Sequence, residues 1–345
     1  MKGTGAKPAN VREIMTQHFD PADEHDVLDP ERLATPSGVA AVLERCGLAP
    51  RKGLGQNFLV DRNVLRRIID AARLTPEDTV IEIGPGLGVL TWALADAVRT
   101  VIAVEVDAGL VRWLERLLRA RDNVRLVHAD ALEVDFHALL AEHPPGPGGT
   151  GKVIANLPYY ITTPLLMRFL EEGPPLDSMV VMVQREVAQR LTARPGTKDY
   201  GALSVVVQLR ADVETVGVVS PHVFFPKPAV ESAVVRLKLR PLPGDVLDEA
   251  VLFAVVRAAF GQRRKTLRNA LRAAAKASGG PASEAAPSPR RRGRGEGPGE
   301  TGAPWPDRAV EDALAAAGID GARRGETLSP AEFVRLANAL AARSG

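Results

Sequence analysis

The chain has 345 residues, 45% of them hydrophobic, with 44 Lys and Arg against 42 Asp and Glu for a net charge of +2. This is the make-up of a globular protein with room for about two folding units, and it excludes a tail-like disordered protein. No apolar run approaches the roughly 18 residues needed to span a bilayer, so no membrane association is expected. A single cysteine, Cys46, excludes an internal disulfide and any Cys-x-x-Cys metal site. With no hydrophobic stretch of signal-peptide length at the start, a cytoplasmic protein is expected.

Residues 1 to about 35 are polar and rich in Pro and Asp, and they lack sustained periodicity; they are expected to be an unstructured extension. A helix is expected from near Thr35-Pro36-Ser37, with Ser37 as its cap and Val39, Val42 and Leu43 along it. Short apolar, β-rich runs then fall at 79–83, 100–104, 124–127, 153–155 and 179–183. Helical patterns separate them, such as Leu110, Leu114, Leu117 and Leu118 on one face. Strands of that kind imply a parallel sheet covered on both sides. Two later runs, 213–219 and 233–239, lack a helical crossover and are expected to pair antiparallel at the sheet edge. Segment 200–209 stays open, since its composition suits a strand and its length allows a helix.

After Pro241 and Pro243 the pattern is helical, from about 248 to 276, and it resumes at 307–317 and 330–342. Between these, 278–306 has almost no large apolar side chains and is expected to be a disordered insert. The expected division is an extension over 1–35, an α/β unit over 36–241 and a helical unit over 242–345. Residues 257–294 hold eleven Arg and Lys against one acid, Glu284, which points to a local contact with a polyanion.

The strongest local signal is Thr79-Val-Ile-Glu-Ile-Gly84-Pro-Gly86-Leu-Gly88, a strand running into a glycine turn that opens a helix. A dinucleotide fingerprint would place its third glycine at Val89, and here the glycine comes one residue earlier. The tighter turn, after the strand acid Glu82, suits a nucleoside without a pyrophosphate, and S-adenosylmethionine is the candidate. Glu105 lies 21 residues past Gly84 at the end of the next strand, where a carboxylate can accept both ribose hydroxyls. Asp130, after the third strand, is placed to accept from an adenine amino group.

The fourth strand ends in Asn156-Leu157-Pro158-Tyr159-Tyr160. The exocyclic amine of adenine is a poor nucleophile because its lone pair is delocalised into the ring. The Asn156 side-chain oxygen and the Leu157 carbonyl, both accepting from that amine, would favour localising the lone pair, while Tyr159 holds the base by stacking. Rate would come from positioning and electrostatics.

With these motifs in series, the chain resembles the ribosomal RNA adenine N6,N6-dimethyltransferases, above all the bacterial 16S enzymes. The resemblance runs from about Lys52 to Leu271 through KGLGQNFLVD (52–61), EIGPGLGVLT (82–91), NLPYYITTPLL (156–166), QREVAQRL (184–191), TKDYGALSV (197–205), VFFPKPAVESAVVRL (223–237) and AFGQRRKTLRNAL (259–271). It implies a Rossmann-like class I methyltransferase sheet, mostly parallel with an antiparallel edge pair, followed by a small all-helical domain, and it makes 200–209 a helix. It places cofactor contacts on Asn57, Leu59, Gly84, Glu105, Asp130 and Asn156, and the target amine at 156–159, with Pro158 within that run. Phe224 would stack on the adenine opposite Tyr159. The implied reaction is dimethylation of two adjacent adenines in the terminal hairpin loop of small-subunit RNA, in an immature 30S particle, by a monomer. The acidic extension and the 278–306 insert lie outside the family pattern.

A helix over 262–272 is expected to carry Arg264, Arg268 and Arg272 at successive turns, with Lys265 beside them, as a basic stripe for RNA phosphates. Arg290, Arg291, Arg292 and Arg294 in the insert would add nonspecific affinity. Three other readings stay open: a macrolide-resistance-type methyltransferase of 23S RNA, an RNA-binding assembly factor with a vestigial site, and a nicotinamide dehydrogenase, the last disfavoured by the glycine spacing.

Overall fold

A computed structural model describes residues 30–278 and 305–342. Most of the expected extension, and residues 279–304 of the expected insert with its four arginines, lie outside the described residues; Trp305, expected in the disordered insert, is instead buried in the core of the C-terminal helices. Within them the chain forms, in order, α1 (Pro36–Arg45), β1 (Phe58–Leu59), α2 (Arg62–Ala72), β2 (Thr79–Ile83), α3 (Val89–Ala95), β3 (Thr100–Glu105), α4 (Ala108–Leu117) and β4 (Val124–His128). There follow α5 (Phe136–Glu142), β5 (Gly151–Asn156), α6 (Thr162–Glu172), β6 (Ser178–Gln184), α7 (Arg185–Leu191), α8 (Ala202–Arg210), β7 (Ala211–Val219), β8 (Phe224–Phe225) and β9 (Ser232–Leu239). The helices α9 (Glu249–Gly261), α10 (Leu267–Ser278), α11 (Asp307–Ala317) and α12 (Pro330–Ala341) complete it.

Continuous apolar runs form strands here because both faces of the sheet are covered: every residue of β2 is buried. The seven strands lie in the order β4-β3-β2-β5-β6-β9-β7. The first five are parallel, and β9 and β7 form the expected antiparallel edge pair. One face packs α2 and α3 through Val64, Ile68, Leu90 and Leu94. The other packs α5, α6 and α8, and its core runs without a break into the four C-terminal helices.

Segment 202–210 is a helix, and its burial explains why its composition looks like that of a strand. Leu203, Val205, Val206, Val207 and Leu209 are all buried because α8 lies between the sheet and the C-terminal helices, with no polar face to show. Ser204 accepts from the Gly201 amide at 3.1 Å and donates to the Arg190 carbonyl at 2.6 Å. Just before it, Tyr200 is fully buried and donates to the Leu328 carbonyl at 2.8 Å, tying the sheet unit to the helical one.

Two expectations need correction. The first helix is capped by Thr35, which accepts from the Gly38 amide at 3.1 Å, with Pro36 at the first helical position; Ser37 is inside the helix. Leu33 is only 1% exposed and packs with Val39, Phe58 and Leu87, so the folded chain begins before residue 36.

At the opposite end of the strands from the glycine turn, Lys152 donates to Asp78 at 2.7 Å and to the Arg73 carbonyl at 2.7 Å, and both side chains of the pair are buried. Burial alone would raise the Asp78 carboxyl. The Lys152 ammonium and the Thr150 and Thr75 amides outweigh that and hold it below the usual carboxylate range. Replacing Lys152 by Met strands a buried carboxylate, and a loss of about 3–5 kcal/mol is expected in chemical denaturation. Adding Asp78→Asn should recover most of it. A single variant within about 1 kcal/mol of the parent would show that the pair does not anchor these loops.

Candidate active site

Parallel pairing brings the carboxyl ends of β2, β3, β4 and β5 to one edge, and a cleft opens there. Asn57, Leu59, Gly84, Glu105, Asp130, Asn156, Leu157, Pro158 and Tyr159 all line it, together with Leu33, Glu82, Gly86 and Tyr160. Among the residues expected to bind cofactor or amine, only Phe224 is missing from this cleft.

The glycine turn is shaped by its neighbours. Gly84, Gly86 and Gly88 all have positive φ (66°, 61° and 87°). At Gly86 a Cβ would lie 3.1 Å from the Phe58 ring, and at Gly88 2.7 Å from a Leu117 methyl. A side chain at either position would collide with packed neighbours and adopt a strained positive φ, so the turn keeps this shape only with glycine there.

The two acids of the cleft differ. Glu105 accepts from the Val106 and Asp107 amides, both at 2.9 Å, and from the Gly86 amide at 3.4 Å, which fixes the carboxylate against the glycine turn. Its carboxyl is raised by burial, and those amides pull against the rise. Glu82 is 2% exposed, and no hydrogen bond of ordinary geometry reaches its Oε2. Burial, opposed by the neighbouring Thr91 hydroxyl and reinforced by the charge of Glu105, pushes its carboxyl up to about 8. Asp130 accepts from the Leu132 amide at 2.9 Å. Two buried carboxyls in one cleft, one with an unpartnered oxygen, call for positive charge. S-adenosylmethionine, a sulfonium bearing an ammonium group, fits that demand.

Asn156 ends β5, and its Nδ2 donates to the Asn57 carbonyl at 3.2 Å. A carbonyl partner can be met only by the amide nitrogen, so the side-chain oxygen is left as the acceptor facing the cleft. Asn57 is itself pinned by a bond from its own amide to the Gly55 carbonyl at 2.9 Å, and by β1 pairing with β8. Pro158 abuts the turn, where a Cβ on Gly84 would sit 3.2 Å from its ring. Leu157 is buried, with its amide held by the Met182 carbonyl at 3.1 Å. The Tyr159 hydroxyl shares a 2.7 Å hydrogen bond with Ser232 of β9, which fixes the ring plane. Ser232 was not picked out from sequence; a serine at a strand start gives no signal of its own. Tyr160, 49% exposed at the mouth, has its phenol raised by burial and by the charges of Asp130 and Glu105.

Phe224 lies elsewhere. At 4% exposed, it packs beneath the site with Leu59, Val219 and Val234, while Phe225 packs on the side of Phe58. The pairing of β1 with β8 sets Phe224 opposite Leu59 and holds it there.

The basic stripe also needs correction. The helix expected over 262–272 breaks, because α9 ends at Gly261 and α10 starts only at Leu267. Arg264 and Lys265 are exposed in the intervening turn. Arg268 lies 2.8 Å from Glu311, which also accepts from Arg272 at 2.8 Å, so these two arginines bind α10 to α11.

A family model for ribosomal RNA adenine dimethylase matches residues 47–279. Among curated relatives, the ribosomal RNA small subunit methyltransferase A of Pelotomaculum thermopropionicum is 49% identical over 89% of this chain and 97% of its own. Its namesake from Geobacillus kaustophilus is 46% identical over 90% of this chain and 97% of its own. A dimethyladenosine transferase from Plasmodium falciparum shares the fold, with a TM-score of 0.59 at 23% identity over 81% of this chain and 95% of that one. The 23S rRNA methyltransferase ErmE gives 0.52 at 27% identity over 83% and 100%.

The state of Glu82 has a measurable consequence. Its folded carboxyl keeps a proton that the unfolded chain releases near 4.5, so the stability it contributes is lost as pH rises from about 5 through about 8. In the absence of cofactor, the melting temperature should therefore fall across that window more steeply than in Glu82→Gln. Parallel curves for the two proteins would contradict this assignment.

Proposed function

The chain belongs to the ribosomal RNA adenine dimethylase family, and from that premise we propose that it dimethylates N6 of two adjacent adenosines in the terminal hairpin loop of 16S RNA. The substrate of this reading is an immature 30S particle in the cytoplasm, and the enzyme acts as a monomer. Its methyltransferase unit runs from Pro30 to about residue 241, followed by the helical unit. The choice of 16S over 23S RNA is supported by identities of 46% and 49% to the small-subunit enzymes, against 27% to ErmE.

The methyl donor is S-adenosylmethionine, which when bound supplies an electrophilic methyl group. Asn57, Leu59, Gly84, Glu105 and Asp130 are the residues that would hold it, with the buried Glu82 carboxyl lining the same cleft. The chain's own task is then to present the amine. The observation that carries this reading is the hydrogen bond from Asn156 to the Asn57 carbonyl, since it occupies the amide nitrogen and leaves the side-chain oxygen as the free acceptor of a residue that lines the cleft. That oxygen and the Leu157 carbonyl accept the two amine hydrogens and draw the nitrogen toward a tetrahedral shape, in which its lone pair is available. Tyr159, fixed by Ser232, offers its ring to the base. No general base is required, because the proton of the methylated amine can leave to water. Arg264 and Lys265 supply phosphate contacts from their exposed turn.

Labelled S-adenosylmethionine, incubated with unmethylated 30S particles and separately with unmethylated 23S RNA, tests the assignment. Dimethyladenosine in the 30S particle is expected; label in 23S RNA alone would transfer the protein to the resistance class. Asn156→Ala should lower methyl transfer about a hundredfold or more, on the order of 3 kcal/mol of transition-state stabilisation, with RNA binding largely retained. A near-normal rate would remove Asn156 from the mechanism.

A further inference from the structure

Between α2 and the β7 edge of the sheet lies a second hollow that shares no residue with the cleft. Four arginines line it, Arg66, Arg67, Arg73 and Arg236, against two acids, Asp70 and Glu214. Nothing in the reaction so far uses them, and their placement is specific.

Strand β7 bulges between Thr215 and Gly217. A Cβ at Gly217 would lie 2.9 Å from Nη1 of Arg67, so the guanidinium lies closely along the strand at this residue. There it donates to the Val218 carbonyl at 3.3 Å. Arg236, on β9, stands in register with Glu214, whose carboxylate is 4.0 Å from its Nη1. The Arg236 side chain is 13% exposed, and its buried Nε has no hydrogen-bond partner in the protein. Arg66 and Arg73 are exposed, and among the described residues their side chains make neither an ion pair nor a hydrogen bond.

Four guanidinium groups facing one hollow repel one another, and the two acids offset only part of that. What satisfies such an array is an acceptor with several oxygens and delocalised negative charge, which is the chemistry of a phosphate group. Arg66 lies on α2 and Arg73 caps its C-terminus, about two helical turns further on. The donors are therefore strung along a track, and a track suits a polyanion better than a single ion.

We infer that this hollow is a second contact for the RNA backbone, an inference that rests on the reading of ribosomal RNA as substrate. It lies on the sheet face that carries α2, whereas the Arg264–Lys265 turn belongs to the other face. There Arg263 ties the turn to the carbonyls of Lys198 and Tyr200, at 3.3 and 3.0 Å. Basic contacts on both faces match a folded particle that presents RNA on two sides of the enzyme. They do not match a lone straight duplex lying along one side.

The test is the salt dependence of binding by the full chain, for the parent, for Arg66→Ala with Arg73→Ala, and for Arg264→Ala with Lys265→Ala as comparator. Each is titrated against unmethylated 30S particles and against a plain RNA duplex. Loss of two phosphate contacts should make the log–log slope shallower by roughly 1.5 to 2 and weaken binding at moderate salt about tenfold. Affinity for S-adenosylmethionine and the melting temperature should be unchanged, which separates the effect from misfolding. A slope equal to the parent's on both RNAs overturns the inference, even where the 30S particle is methylated. A shallower slope on the duplex, with no binding or methylation of 30S by the parent, keeps the hollow as an RNA contact and removes the 16S assignment instead.

Discussion

Parallel pairing is the constraint from which the site follows. With β4, β3, β2, β5 and β6 running the same way, every strand hands its chain to a loop at the same edge, and Glu105, Asp130 and Asn156 are gathered there from far-apart stretches of sequence. No helix or long-range side-chain bond has to bring them together. The glycine turn keeps its shape because Phe58, Pro158 and Leu117 already occupy the volume that side chains on Gly86, Gly84 and Gly88 would need. The sheet sets which groups meet, and the turn sets their distance from whatever lies between them.

Electrostatics in the cleft work against the isolated protein. Keeping Glu82 and Glu105 buried together costs stability that a sheet with apolar residues at those positions would retain, and only Glu105 receives compensating amides. The cost is offset when a cationic ligand enters, since both the desolvation and the mutual repulsion are then answered by one positive group.

The alternation of strand and helix was legible because each buried strand is a short apolar run bounded by turns, and the antiparallel edge because no helix separates its two strands. Strand ends also carried the site, since Gly84, Glu105, Asp130 and Asn156 each follow a recognisable run. Asn57 and Leu59 came only from resemblance; Leu59 sits on, and Asn57 just before, a two-residue strand whose partner lies at Phe224 and Phe225, too short and too distant for any periodicity. The same pairing explains why Phe224, an aromatic beside a family motif, is buried beneath the cleft. The arginine stripe failed for a related reason. Residues 262–272 read as one amphipathic helix, but Glu311, beyond the 278–306 stretch, decides what Arg268 and Arg272 do. The degree of burial at Glu82 is a property of packing that local sequence does not record.

The short ribbon of β1 and β8 has a temporal consequence. Asn57 is held where it orients Asn156 because its neighbours Phe58 and Leu59 pair with Phe225 and Phe224, and the Val60 amide reaches the Val223 carbonyl. A growing polypeptide that has emerged only as far as β6 already contains the five parallel strands and every residue that lines the cleft, yet lacks the strand that pairs with β1 beside Asn57. The cleft with Asn57 bonded to Asn156 is therefore complete only once β8 has been made, late in synthesis.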